Sequence, residues 1–356
     1  MILNRMRINN QQPLEIQPMN IRSKLALFAT AIALCSNALA AEVNVYSARK
    51  EALIKPLLDQ FTSESGIKVN LVTGKADALL KRLTTEGANS PADLFITTDA
   101  GRLHRAKEAD VLQPASSETL NAAIPASYRD PEGYWYGLSV RARVITYIKD
   151  RVDPKQLSTY EALADEQWKG RICIRGSGNI YNQSLVASMI AADGEATTQQ
   201  WADGFVKNFA RDPKGGDRDQ VKAAAAGVCD LAIVNTYYLG AMINSKDENE
   251  QAAAAKVALF WPNQNDRGAH VNVSGAGVTR SAKNKEAAVK LLEFLASKKA
   301  QGWYASVNQE YPVRPEVEWS ETLKQWGTFK ADTLNLSLLG ENNPAAVRLM
   351  DRAGWK

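Results

Sequence analysis

Apolar positions along this chain recur in two alternating periods. Val43-Asn44-Val45-Tyr46 alternates every second residue, Leu53, Ile54, Leu57, Leu58 and Phe61 follow at helical spacing, and 68–72 alternates again. Those periods predict a strand, a helix and a second strand, which together make a βαβ unit. A helix over 77–86, a strand over 93–97 and a helix over 102–109 extend it. After Gly137 the segment 140–148 is extended, and the rhythm then restarts with a strand over 171–175, a helix over 183–192 and a strand over 230–235. Residues 259–262 and 271–278 are further extended stretches. The run 285–299, with Ala287, Val289, Leu291, Leu292, Phe294 and Leu295, predicts one long helix. The fold class expected is α/β, in two lobes that each carry a mostly parallel central sheet. The chain is expected to cross between the lobes more than once. In open parallel sheets ligands gather beyond the carboxyl ends of strands, which directs attention to the loops 47–51, 98–102, 176–182 and 235–239.

The first 41 residues do not share this rhythm. Arg22 and Lys24 precede the apolar run 25–35, and Ala38-Leu39-Ala40 supplies the small residues of a cleavage site, so 1–41 is expected to be a secretory signal. Met19 is an alternative start, because 1–18 is polar, holds Pro13 and Pro18, and adds nothing to a signal. The apolar run is too short to span a bilayer, and the exported protein is expected to be soluble and periplasmic.

Removing the leader changes the charge picture. The whole chain has 43 Lys and Arg against 39 Asp and Glu, but four of those cations and one acid lie in the leader. A near-neutral mature chain gives no electrostatic case for nucleic acid or an anionic membrane as partner. At 356 residues, 45% hydrophobic and 23% charged, the composition is that of a globular protein long enough for two cores. Of the three cysteines, Cys35 falls in the leader, where Leu34 before it argues against lipid attachment. The remaining pair, Cys173 and Cys229, is a candidate disulfide in an exported chain; two buried thiols are the alternative.

Candidate chemistry follows from those cysteines. Tyr181 lies eight residues after Cys173, and Tyr237 eight residues after Cys229. If the cysteines sit on neighbouring parallel strands, both tyrosines emerge beyond the strand ends on one side, and Tyr238 completes a cluster of three phenols. Phenolate oxygen is a hard anionic donor, suited to a hard trivalent cation such as Fe(III) rather than to the softer metals that cysteine and histidine favour. Three phenolates balance a 3+ charge, and a small anion or water fills the remaining positions. Arg102, at a helix start after a strand, is placed to hold such an anion. Tyrosines near strand ends also pack without binding anything, Arg102 is equally a solvated helix-start residue, and Arg141 and Arg143 are strand residues that could simply connect the lobes. His104 and His270, the only histidines, give poor support for a zinc site.

The segments Val45-Tyr46-Ser47-Ala48-Arg49-Lys50-Glu51, Thr98-Asp99-Ala100-Gly101-Arg102-Leu103, Asn179-Ile180-Tyr181-Asn182-Gln183-Ser184-Leu185 and Asn235-Thr236-Tyr237-Tyr238-Leu239-Gly240 resemble the periplasmic ferric-iron-binding proteins of ABC transporters. Asp217-Arg218-Asp219-Gln220 and the stretch His270-Val271-Asn272-Val273-Ser274-Gly275-Ala276-Gly277 carry the likeness further. The resemblance implies a type II periplasmic-binding fold closing over Fe(III), with no enzymatic activity, delivery to an ABC permease, and a monomeric protein. It implies Tyr181, Tyr237 and Tyr238 as metal ligands and Arg102 as the holder of carbonate or another small anion. The lobes are expected at 42–140, with a return segment near 273–312, and at 141–272, with 313–356 packing on the second. One departure stands out. Many relatives carry histidine, or histidine then tyrosine, in the first loop, where this chain has Arg49-Lys50-Glu51. Either Glu51 supplies an oxygen there, or the first lobe contributes only an anion held by Arg102; the second is preferred. Two rivals stay open: an aromatic box for an organic cation such as a polyamine or thiamine, and, more remotely, a secreted hydrolase, for which Ser177 has no recognisable histidine partner.

Overall fold

The computed structural model describes residues 41–356; residues 1–40 of the expected leader, Cys35 among them, lie outside the described residues. Among the described residues there are eight strands, in chain order β1 (Glu42–Ser47), β2 (Lys68–Thr73), β3 (Leu94–Thr98), β4 (Tyr136–Ile148), β5 (Ile172–Cys173), β6 (Leu231–Asn235), β7 (Val257–Phe260) and β8 (Val271–Val278). They line up in the order β2-β1-β3-β8-β4-β6-β5, with β7 pairing β4. β1 pairs parallel with β2 and β3, and β5 pairs parallel with β6. The βαβ reading of 43–72 therefore holds, with the Glu51–Ser65 helix burying Ile54, Leu57, Leu58 and Phe61 on one face and ending at Gly66 in the left-handed region, φ +70°.

β4 and β8 are the antiparallel members that join the two parallel groups. The first part of β4, Tyr136 to Ala142, pairs with β8, and from Arg143 onward it pairs with β6 and β7. One strand thus belongs to both halves of the molecule, and the partner change falls between Ala142 and Arg143. β4 and β8 approach closely because Gly275 has no side chain: a Cβ there would lie 2.4 Å from the Tyr136 carbonyl oxygen. Both strands are buried along nearly their whole length, as expected of strands covered on two faces.

Two elements differ from the sequence reading. The helix expected over 285–299 breaks into Lys285–Leu295 and Lys298–Ser306, because Ser297 adopts extended backbone and its hydroxyl accepts from the Ala300 amide, starting a new helix. The strand expected over 171–175 shortens to β5, which pairs with β6 only through Ile172 and Cys173, while the Arg171 and Ile172 amides donate to the Asn208 carbonyl on the other side. In the C-terminal part, the Asn343–Arg352 helix packs on the Ile180–Asp193 helix, whereas Ser337–Glu341 touches both Ile180–Asp193 and Ala100–Glu108. Gly340 makes that contact feasible: a Cβ there would sit 2.2 Å from His104 Cβ. Among the described residues no helix is long and apolar enough to cross a membrane.

Candidate metal centre

β6 ends at Asn235, and the Thr236–Ile243 helix begins at once, so Tyr237 and Tyr238 occupy its first turn. Tyr181 occupies the first turn of Ile180–Asp193, whose start is capped by Asn179. Cys173, on β5, and Cys229, two residues before β6, are joined with Cα atoms 5.8 Å apart. The expected juxtaposition of the tyrosines is present, although only Cys173 lies within a strand. The Tyr237 hydroxyl donates to the Tyr181 phenol oxygen at 3.2 Å. The Tyr237 and Tyr238 rings pack 4.2 Å apart between centroids. Two oxygen donors on adjacent positions of one octahedral cation, each about 2 Å from it, would be about 3 Å apart, so the Tyr181 and Tyr237 oxygens stand near that spacing.

These phenols line a cleft of about 350 Å³ together with Ala48, Arg49, Lys50, Thr98, Arg218 and Glu310. All four loops marked by the strand-end rule contribute. Burial pushes Tyr237 well above the usual phenol pKa, and the neighbouring Tyr181 and Tyr238 push it further, against an opposing pull from Arg141. Burial likewise pushes Tyr238 up to about 12. Both are therefore neutral phenols at neutral pH.

Beneath the tyrosines lies a layer of arginines. Arg143, 1% exposed, donates from Nη1 to Asn235 Oδ1 at 3.0 Å and from Nη2 to Asn182 Oδ1 at 2.5 Å. It thereby ties the strand leading to Tyr237 to the residue after Tyr181. Asp217 is buried between Arg143 and Arg175, 3.5 and 3.8 Å away. The Arg175 guanidinium carbon lies 5.6 Å from the Tyr181 ring centroid and that of Arg141 6.0 Å from the Tyr237 ring. In the first loop, Arg49 and Glu310 form a buried ion pair at 2.6 Å, and Ser139 donates to Glu310 at 3.0 Å.

Sequence reasoning did not assign Arg49, Glu310, Arg175 or Asp217 to the site. The available signal was a pair of arginines two apart in the otherwise apolar run Val140-Arg141-Ala142-Arg143-Val144, which had to share one face of a buried strand. Glu51 is exposed at the first position of its helix and does not line the cleft; Lys50 does. Arg102 sits in the first turn of the Ala100–Glu108 helix, with Nη1 3.4 Å from Thr98 Oγ1 and Nε 3.7 Å from Asp77, and is likewise absent from the lining. His270 is buried and His104 packs under Gly340; neither lines the cleft. The Ser177 amide donates to the Lys356 carbonyl. Among the described residues no group of three or more His, Cys, Asp or Glu is arranged to hold a metal, so the tyrosines are the donor set to consider.

Residues 89–332 match the family model described as bacterial extracellular solute-binding protein. The chain is 51% identical over 315 residues to iron uptake protein A1 of Synechocystis sp., covering 88% of each. It superposes on a Trichodesmium protein in complex with iron and citrate ligands with a TM-score of 0.87 at 53% identity, covering 89% of this chain and all (100%) of that one. A ferric binding protein from Campylobacter jejuni matches with a TM-score of 0.84 at 41% identity over 88% of this chain and 100% of that one. With its two-lobed type II fold and its tyrosine-lined cleft, the chain belongs to the bacterial extracellular solute-binding proteins, in their ferric-iron-binding class.

Proposed function

We propose that this protein captures Fe(III) with Tyr181, Tyr237 and Tyr238 as phenolates, in the periplasm, and delivers it as a monomer to the permease of an ABC transporter. The observation that carries this reading is the meeting of the Tyr181 and Tyr237 hydroxyl oxygens at 3.2 Å, with Tyr238 stacked beside them, in a cleft between the two halves. Each phenol must give up its proton, and the trivalent charge supplies the driving force. A small anion such as carbonate would complete the coordination, as citrate accompanies iron in the Trichodesmium relative. The lobes of this reading are 42–140 with 273–312, and 141–272 with 313–356, hinged where β4 changes partner. Iron meets the tyrosines of the second lobe first, and the first lobe then closes, because its contacts to the loaded site exist only in the closed state. Binding and release, not catalysis, are the whole activity.

An organic cation in an aromatic box fits less well. Guanidinium groups already stand within 6.0 Å of the Tyr181 and Tyr237 ring centroids, so a cationic guest would meet like charge. The test is a ferric titration followed by visible absorbance. Tyrosinate bound to Fe(III) absorbs in the visible, and Tyr237→Phe keeps the ring but deletes the donor. The wild type is expected to turn red to orange and the variant to lose the band with its circular dichroism intact; an undiminished band in the variant would remove Tyr237 from the ligand set.

A further inference from the structure

We infer that iron enters this cleft as a negatively charged ferric carboxylate chelate, and that Lys50 receives its carboxylates. This rests on the tyrosinate reading above and adds to it the form of the cargo. Lys50 immediately precedes the Glu51–Ser65 helix and lines the cleft, while Glu51 turns out to solvent. Among the described residues Lys50 forms no ion pair, unlike Lys55 on the same helix, which is engaged by Asp59 at 2.6 Å.

The carboxylates around the cleft are already committed to other partners. Glu310 is taken by Arg49 at 2.6 Å, and Asp217 is shared by Arg143 and Arg175. Glu250 is shared by Arg218 and Lys222 at 2.9 and 3.3 Å. Asp99 is buried on hydrogen bonds from Ser184, Asn272 and the Gly101 amide. Arg141, 1% exposed, has no hydrogen-bond partner on any of its three guanidinium nitrogens. The cleft therefore carries a surplus of positive charge. A hydrated trivalent cation would be repelled from it, and an anionic chelate drawn in; fields of this kind change association rates by about 10- to 1000-fold. The cleft, at about 350 Å³, also falls within the size range of small-molecule sites and has room for an organic anion beside the metal. The Arg102 guanidinium lies by Thr98 and Asp77, outside the lining.

The experiment is stopped-flow growth of the visible band at several ionic strengths, loading from ferric citrate and from neutral ferric tris(acetohydroxamate). The wild type should load faster from citrate, with a rate that falls as salt rises. Lys50→Glu should slow citrate loading about tenfold at low salt and flatten its salt dependence, with a much smaller effect on the hydroxamate donor. Lys50→Gln should fall between, and Lys55→Gln should match the wild type. Citrate loading by both Lys50 variants at the wild-type rate and salt dependence would overturn the inference, as would a loss seen in Arg102→Gln instead. Absence of a band from either donor in the wild type would overturn the tyrosinate reading itself, a result distinct from a band whose growth ignores Lys50.

Discussion

At the scale of the residue, burial sets the chemistry more than identity does. His270, 3% exposed, has its pKa lowered to about 3 by desolvation and by Arg267, Arg143 and Arg141 around it. The folded state therefore refuses a proton that the unfolded chain accepts below about 6.5. A depressed folded value means that stability is complete above the unfolded pKa and is lost as pH falls toward 3. At pH 5 the loss is about 2 kcal/mol, so His270→Gln should flatten the pH dependence of urea unfolding between 7 and 5 by roughly that amount. Arg143 illustrates the opposite case, a buried charge whose partners justify it. Arg143→Met would strand Asp217 with only Arg175 and release both Asn182 and Asn235, costing about 3–5 kcal/mol in urea unfolding. The tyrosines were legible from equal spacing and motif. The arginine layer was not, because what makes Arg143 part of the site is a set of partners 39, 74 and 92 positions away along the chain, and only the folded strand order brings them together. Lys50 and Glu51 differ by one position at a helix start, a distinction that hydrophobic periodicity cannot resolve.

At the scale of the element, the first helical turns after β5 and β6 carry the site, and the cross-link between them holds their spacing. Cys173 and Cys229 close a loop with a sequence separation of 56, for which the chain-entropy model gives about 4 kcal/mol of stabilisation. The double variant Cys173→Ser with Cys229→Ser is expected to unfold at correspondingly lower urea and to bind iron more weakly; calorimetry and the visible titration measure the two effects separately. Element identity was readable wherever the apolar period was long, as in Glu51–Ser65 and β8. It was misread where a local hydrogen bond interrupted the pattern. Ser297 sits inside a run that looks helical throughout, and nothing in the period of the apolar residues marks its hydroxyl as a new start.

At the scale of the whole molecule, two halves are joined through β4 and β8, and the short Ser337–Glu341 helix touches helices on either side of the cleft. Asp99 adds a further tie. It holds φ +84°, a backbone region strained for any residue but glycine, and its side chain accepts from Ser184 on the tyrosine-bearing helix and from Asn272 on β8. Its bonds to Ser184 and Gly101 are inherited by one oxygen and that to Asn272 by the other, so the carboxyl spans the junction. The two-lobed plan was visible in the sequence as an α/β rhythm that stops and restarts. The antiparallel run of β4 against β8 was not, since an extended segment does not declare the direction of its partner.

Because β4 is a single strand shared by both halves, any opening of the cleft must bend it without tearing its ladder, and the amides where it changes neighbours should report that bending. Deuterium uptake is expected to be slow at Val140 and Val144 in every state, yet to quicken around Ala142 and Arg143 when iron is stripped from the protein. Uniform protection along β4, metal or no metal, would mean that the molecule yields somewhere else.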